Sequence, residues 1–538
     1  MSDISSDSGS GGISRRDALK AGGGAAAVVM GGGVLAACGS KSSATNASST
    51  ADSASPATGR IKKGGIISLG VAGGGAADTI DPAKANVDAD LARTYNLYDP
   101  LLQRDPDYKR ALILAEEIEP GPGAKTFTIR LRDGVEFHNG KTLSADDLLY
   151  TWKRILDPKF ANAAKAQLAL VDMKRTRKLD KRTVRVQLKA ANIGFPDNLV
   201  GSYTRVVPEG YDPKSPVGTG PFKFKSFKAG DRSTFVRNEN YHLGEVHVDE
   251  LHIIDIPDPS ARVNALIGGQ LNVIASLPAA QVQGVKANPK LRVLTGETGS
   301  WQPITMRTDQ APFNDVRVTE AFKLIIDRKQ IIEQALNGYG AVANDTYARY
   351  DVPTDGKIPQ REQDLEKAKS LLKAAGQSGL TVEFVTAPVY VGLVEAAQVF
   401  AQQAKGAGVN IKIRKVDAGT FFGPNYLKWR LAQDYWASNA FIAQSDVAVG
   451  PEAPFNETHF DDPKFYSLLS EIKRELDDTK RNEMILEAKR YIHDRSGYII
   501  WGFSNSIDAY SAELVGLRPS KYGVPLGNYG FASVGFAA

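Results

Sequence analysis

Thr126-Phe127-Thr128-Ile129-Arg130-Leu131-Arg132-Asp133-Gly134-Val135-Glu136-Phe137-His138-Asn139-Gly140-Lys141-Thr142-Leu143-Ser144-Ala145-Asp146-Asp147 carries strand, turn and helix signals in close succession. Phe127, Ile129 and Leu131 alternate with Thr128 and Arg130, the pattern of a half-buried strand. Asp133-Gly134 and Asn139-Gly140 are turn formers. Ser144 is a helix cap, and Asp146 and Asp147 sit in the first turn, where the helix dipole favours anions. Leu148, Leu149, Trp152, Ile155 and Leu156 then give the helix an apolar face. His138 reads as packing or hydrogen bonding, not catalysis.

The same alternation of strand and helix signals continues outward. Ile66–Leu69 predicts a first strand, and Val184, Val186 and Leu188 predict another. Phe222, Phe224 and Phe227 open a strand pair that turns at Ala229-Gly230-Asp231. Ile253–Ile256 is a strand ended by Pro257-Asp258-Pro259, after which Ser260 caps a helix through Ile267, closed by Gly268-Gly269. Beyond residue 317, helices are expected at 317–336, 364–375, 391–406, 464–475 and 480–494, and strands at 381–386, 409–416 and 498–503. Gly376 and Gly408 stand where helix C-caps belong. The strand–helix–strand run from Gly376 to Val416 implies a parallel pair with a right-handed crossover. The fold class is α/β. The 538 residues exceed what one core holds, roughly 250–300 residues, so more than one lobe is expected.

Composition narrows the function classes. The chain is 42% hydrophobic and 24% charged, which excludes a disordered chain, a collagen and a multi-span membrane protein. A net charge of +5 gives no reason to expect a nucleic-acid partner. The sole cysteine, Cys38, excludes an intramolecular disulfide and a cysteine-based zinc cluster. Residues 1–38 read as an address. Ser14-Arg15-Arg16-Asp17-Ala18-Leu19-Lys20 resembles a twin-arginine export motif, with Ala18 where that motif carries Phe, so the general secretory route stays open. Ala21–Ala37 is apolar but Gly/Ala-rich, too weak for a membrane span. Leu35-Ala36-Ala37-Cys38-Gly39 resembles a bacterial lipobox, with Cys38 as the lipidated residue. Segment 39–60, rich in Ser, Ala and Thr, reads as a flexible tether.

Four ordered blocks resemble the extracytoplasmic solute-binding proteins of ABC importers, family 5, the peptide- and nickel-binding type. The first is Thr126–Gly140 with Leu143–Asp147. The second is Pro216-Val217-Gly218-Thr219-Gly220-Pro221-Phe222 with Arg237–Tyr241. The third runs from Ala261-Arg262 through Leu266 to Gly269-Gln270. The fourth is Pro312–Arg317 with Ala321-Phe322 and Ile326-Asp327-Arg328. The resemblance implies a class II periplasmic-binding-protein-like fold of two lobes joined by a hinge. It places lobe I at 61–302 with an inserted subdomain at about 106–204, lobe II at 303–500, and a return to lobe I at 501–538. The hinge falls near Ser300–Pro303 and Tyr498–Phe503. It further implies a monomer that traps a small-molecule or peptide solute and hands it to a membrane permease. A bilayer anchor through acylated Cys38 completes the picture, with no cofactor and no chemistry on the ligand.

Family members that bind short peptides pair the ligand's ends with charged side chains. The segment matching their acidic anchor is Asp434-Tyr435-Trp436-Ala437-Ser438-Asn439, which puts Asn439 where an Asp is expected. The run matching their arginine, Ala387-Pro388-Val389-Tyr390-Val391-Gly392, has no Arg. Longer or blocked peptides, or a sugar oligomer, are therefore the expected solutes. Trp301, Trp436 and Trp501 lie near predicted lobe junctions and offer indole faces for stacking, with core packing the competing reading. Asn96 and Tyr98 fall in a region that lines the cleft in family members. Trp152 and Trp429 read as core residues on helix faces. Pro454–His459 reads as a surface loop.

Other readings weaken on inspection. His242, His247 and His252 are spaced by five, which puts them on one face of neither a strand nor a helix, so no metal site is expected. Lys174–Arg182 reads as a solvated hairpin tip. Gly218-Thr219-Gly220-Pro221 lacks the Gly-Lys-Ser/Thr ending of a phosphate loop, and no Gly-x-Ser-x-Gly or His-Glu-x-x-His motif is present. A tethered hydrolase is the alternative of another class, and a receptor that presents solute to a sensor shares the fold.

Overall fold

The computed structural model describes residues 60–538, apart from Ser202 and Asp355. The signal segment, Cys38 and the tether up to residue 59 lie outside the described residues. The spine is an antiparallel pair of long strands, Leu291–Met306 and Tyr498–Ser511. Leu291 to Glu297 pairs with Ser511 to Asn505. The register then breaks, and Trp301 to Thr305 pairs with Phe503 to Tyr498. The break is tied down by the Thr298 hydroxyl, which donates to the Ser504 carbonyl at 2.6 Å and accepts from the Ser300 amide.

One continuous sheet grows from this pair in both directions. On one side lie Leu431–Gln433, Thr381–Thr386 and Asn410–Lys415. On the other lie Val273–Ile274, Ile66–Val71, Glu250–Asp255, Arg232–Arg237 and Phe222–Lys228. Two lobes thus share a sheet but not a core. Lobe I packs around Leu69, Phe222, Phe235 and Ile253. Lobe II packs around Phe322, Phe384, Phe400 and Trp501, with a second cluster around Trp301 and Ile492. A separate four-stranded sheet, with Thr126–Leu131 at its centre, closes on the helix Ala145–Leu156 and buries Trp152. This inserted unit carries its own core, as period-2 and helical patterns on its elements require.

Local chemistry explains the boundaries. Ser144 caps the Ala145–Leu156 helix, and its amide and hydroxyl both donate to the Asp147 carboxylate at 3.0 and 2.8 Å. The parallel pair Thr381–Thr386 and Asn410–Lys415, joined through the helix Leu393–Gly406, is present as read from the sequence. Three expectations are corrected. The helix expected at 317–336 is two helices, Val316–Ile325 and Arg328–Leu336, because Ile326 is extended and Asp327 caps the second by accepting from the Gln330 amide. The cap before Ile267 is Asp258, not Ser260, with Pro259 in the first turn, where its missing N–H costs nothing. Trp429 follows a turn and is not on a helix, its indole N–H donating to the Phe421 carbonyl at 3.1 Å.

The first two blocks quoted above meet in space. The His138 amide donates to the Gly218 carbonyl, its Nδ1 accepts from the Gly218 amide, and its Nε2 donates to the Gly220 carbonyl at 2.9 Å. Gly218 and Gly220 press backbone to backbone on the end of the helix Asp88–Leu97. A Cβ on Gly218 would stand 1.9 Å from the Leu97 carbonyl oxygen. Gly218→Ala should therefore cost at least the ~1–3 kcal/mol typical of overpacking. Gly284→Ala, at a helical site open on all sides, should stabilise by ~0.4–1 kcal/mol. Chemical denaturation of both variants checks the contrast. Burial pushes the His138 imidazole down from 6.5 to about 4. Between those values the unfolded chain binds the extra proton, so stability is full above pH 6.5 and falls as pH drops toward 4. The melting temperature of His138→Gln should fall less steeply than that of the parent over this window.

Candidate functional site

The register break at Thr298–Ser300 leaves the two lobes facing each other across the crossing strands. From lobe I comes Asp88, in the first turn of the helix Asp88–Leu97. It is half-buried, and burial raises its carboxyl above the usual range, against the lowering pull of the Arg262 guanidinium and the Tyr529 and Ser276 hydroxyls. From lobe II comes Tyr390, in the loop after Thr381–Thr386. Tyr390 is 37% exposed and stacks on Tyr435, ring centroids 4.8 Å apart and 12° from parallel. Burial raises the Tyr390 phenol. The Ser504 hydroxyl, on a crossing strand, opposes this, and the charge of Asp88 adds to it. The Ser504 hydroxyl of a crossing strand and the Asp88 carboxylate of lobe I thus both act on the Tyr390 phenol of lobe II. Gln302, buried on the other crossing strand, fixes the Tyr390 loop by donating from Nε2 to the Val391 carbonyl at 3.1 Å.

A second flank is built from three tyrosines. Tyr108 of the inserted unit lies 5.7 Å from Tyr350 of lobe II and 6.2 Å from Tyr522 of the returning segment, measured between ring centroids. Burial raises all three phenols, Tyr350 to about 12. Arg349 lies over the Tyr350 ring and pairs with Glu297 at 2.8 Å, at one end of the register break. Farther out the lobes touch. The Ile193 amide donates to the Lys473 carbonyl at 2.8 Å, and Asn192 Nδ2 donates to Asp446 Oδ2 at 3.2 Å. Asp446 also pairs with Lys473.

A backbone edge adds to these side chains. Trp436 exchanges two hydrogen bonds with Trp301, N to O at 2.9 and 3.0 Å. The next residue, Ala437, is exposed, and in an extended chain its amide and carbonyl point away from the Trp301 strand. The assembly suits an extended polar solute. It offers stacking faces, hydroxyls, one partly desolvated carboxylate and the exposed backbone of Ala437.

The residues singled out from the sequence fall in different places. Tyr98 is fully buried in the lobe I core, its hydroxyl between the Ile80 carbonyl and Tyr211. Asn96 is also fully buried, its Nδ2 donating to the carbonyls of Ala92 and Tyr529. Both stand at the end of one helix, packed into the lobe I core. Trp501 is fully buried in lobe II, so the expectation that it stacks on solute is corrected in favour of packing. Trp301 and Trp436 sit in a column of stacked rings, Phe441–Tyr347–Trp301–Trp436, spaced 5.4, 5.5 and 5.8 Å. Asn439 is half-buried and donates to Gln444 Oε1 at 3.0 Å. The Pro454–His459 loop is held against Trp436 by Phe455 rather than lying free on the surface. His242 and His252 each meet a different carboxylate, Asp99 and Glu250. Among the described residues no group of three or more His, Cys, Asp or Glu side chains could hold a metal.

Sequence reasoning passed over Asp88, Tyr108, Tyr350, Tyr390 and Tyr435. The last two stood in the quoted segments, where the search was for charge. No local pattern marks the others.

The model of the bacterial extracellular solute-binding proteins, family 5, matches residues 111–448. Among curated relatives, haem-binding protein A of Haemophilus influenzae is 26% identical over 456 residues, 76% of this chain and 82% of that protein. The oligopeptide-binding protein AppA of Bacillus subtilis is 28% identical over 351 residues, 62% of this chain and 64% of that protein. Among solved structures, HbpA2 from Haemophilus parasuis superposes with a TM-score of 0.78 at 21% identity, covering 88% of this chain and all of the other. B. subtilis AppA in complex with a nonapeptide gives 0.69 at 22% identity, covering 89% of this chain and all of the other.

The interlobe contacts at Asp446 predict a change of shape on mutation. Asp446→Ala should raise the radius of gyration of the ligand-free protein in X-ray scattering. An unchanged radius would mean that this contact does not hold the lobes together.

Proposed function

We propose, since this chain belongs to family 5 of the bacterial extracellular solute-binding proteins, that it captures a peptide or peptide-like solute between its lobes and delivers it to an ABC permease. The exposed backbone at Ala437, next to the isolated Trp301–Trp436 bridge and two residues from Tyr435 of the Tyr390–Tyr435 stack, is the observation that carries the peptide reading. An extended peptide pairs with exposed backbone through its own, and aromatic faces take its side chains. The names of the relatives, an oligopeptide-binding protein and a peptide transport protein among them, agree with this. Asp88 supplies a negative charge for an ammonium or a basic side chain, on the opposite lobe from Asn439. Closure about the hinge is then driven by contacts that the solute makes to both lobes at once.

Thermal shift against a solute panel tests the reading. The panel holds dipeptides, longer peptides, amino-blocked peptides, oligosaccharides, haem and nickel–histidine. A solute at 100 times its dissociation constant adds ~2.7 kcal/mol of stability. Longer peptides should give the shift, and Asp88→Asn should weaken basic or free-amino peptides about tenfold while sparing amino-blocked neutral ones. A shift with haem or sugar alone would replace the solute class.

The anchor belongs to the same proposal. Leu35–Gly39 supports lipidation at Cys38, and two acyl chains at ~0.8 kcal/mol per buried CH₂ would hold the protein on the outer face of the cell membrane. No helix among the described residues is long and apolar enough to cross a membrane. Cys38→Ala should leave the precursor unprocessed or release the protein from the membrane fraction. Normal lipid attachment in that variant would overturn the lipobox assignment.

A further inference from the structure

We infer that the basic hairpin at 174–189, on the inserted unit, docks on an anionic lipid surface and so orients the protein on the membrane that holds it. Its strands are Arg177–Lys178 and Thr183–Gln187, at the outer edge of the four-stranded sheet. The hairpin lies outside the candidate site between the lobes and is independent of the peptide reading. It rests on the anchor at Cys38 only for what keeps the chain near a membrane.

Residues 174–189 hold eight Lys and Arg side chains against one acid, Asp180, in a chain whose whole net charge is +5. Carboxylates of neighbouring elements neutralise part of this. Asp172 lies 3.7 Å from Arg175, Asp146 2.7 Å from Lys178, and Glu116 and Asp133 lie 3.4 and 3.7 Å from Arg182. Lys189 donates to the Ala169 carbonyl. Four cations remain. Lys174, Arg177, Lys181 and Arg185 are all exposed, and none has a carboxylate partner among the described residues. Arg177 stands directly opposite Arg185 in the ladder. Val184 and Val186 on either side point into the core, so both guanidinium groups project from the other face of the sheet. Like charges in that register repel one another. A surface of negative charge relieves the repulsion, and nothing within the described residues does.

The shape of the hairpin selects the partner. The Leu179 amide donates to the Thr183 carbonyl at 2.8 Å, and the Lys181 carbonyl accepts from the Ala145 amide, so the tip is fixed to the unit. At the tip Leu179 is 53% exposed. Lys178 faces the helix Ala145–Leu156 while Arg177 and Arg185 face away from it, so the charge surrounds the hairpin and lines no groove. Residues 174–189 contain no aromatic side chain on which a nucleic-acid base could stack. A protruding leucine among cations suits a plane of lipid headgroups, which takes Leu179 at the acyl boundary and the cations at the phosphates. Salt screening weakens this contact under physiological conditions. The acyl chains on Cys38 therefore retain the protein, and the hairpin turns it.

The test uses residues 38–538 with Cys38→Ala, which keeps every described element and core and carries no acyl chain. Co-sedimentation with vesicles of phosphatidylglycerol and phosphatidylcholine is the readout, against vesicles of phosphatidylcholine alone. At low salt the chain should sediment with the anionic vesicles and not with the neutral ones. It should be released at ~1 M salt, where the screening length falls to ~3 Å. Lys174→Gln, Arg177→Gln, Lys181→Gln and Arg185→Gln together should weaken binding at least ~tenfold, with no fall in melting temperature, since none of the four has a partner to lose. Lys286→Gln, Lys290→Gln, Lys329→Gln and Lys373→Gln together remove the same charge from exposed positions elsewhere and should bind as the parent does. Leu179→Ser should weaken binding a few-fold and leave its salt dependence as it is. Equal binding to both kinds of vesicle, or equal loss in the two fourfold variants, would overturn the proposal. Retention on polyglutamate without binding to anionic vesicles would overturn lipid as the partner. A failure of the anchor reading is read separately, because no acyl chain takes part in this experiment.

Discussion

The antiparallel pairing of Leu291–Met306 with Tyr498–Ser511 is the constraint on which the rest of the molecule depends. It is the only ladder that belongs to both lobes among the described residues. Every other strand of the large sheet attaches to it directly or through a neighbour. The register of this pair breaks between Glu297 and Trp301, the irregularity of a bulge. The candidate site lies by the same break, since Ser504 and Glu297 stand beside it, and the helix bearing Asp88 and the loops bearing Tyr390 and Tyr350 come from either lobe.

Much of what identifies the chain serves packing. Gly218 and Gly220 are required because the backbone of the Asp88–Leu97 helix occupies the space of a side chain. His138 is required because a neutral imidazole accepts at one nitrogen and donates at the other, and so bonds an amide and a carbonyl two residues apart. These residues position Asp88 by fixing the helix that carries it. They do not touch the cleft. Sequence signatures of this kind therefore report the scaffold.

The tryptophans show why burial is hard to read from type alone. Trp301 was placed near a lobe junction, and it is near one, but it lies within a column of rings that braces lobe II against the crossing strand. The same exchange of hydrogen bonds that holds Trp436 to Trp301 turns Ala437 outward. A large ring at a junction can brace the backbone or bind a ligand, and local sequence does not distinguish the two. Tyr390 and Tyr435, in loops, took the exposed role.

The sequence by itself determined the α/β class, the strand–helix–strand parallel pair, the capped helix after Ser144 and the family. Each rests on short-range pattern: period-2 or helical spacing, a cap, a turn glycine or an ordered motif. Short-range pattern also misled at 317–336, where two amphipathic helices in tandem mimic one, and at Ser260, where a nearer Asp–Pro pair made the better cap. Tertiary structure alone decided which residues meet. Asp88, Tyr390 and Ser504 are hundreds of positions apart, and only the shared sheet brings them together. It also decided that Asn96 is buried against the Ala92 and Tyr529 carbonyls, because a helix end sets side-chain direction by its packing against the rest of the lobe and not by the residues it contains.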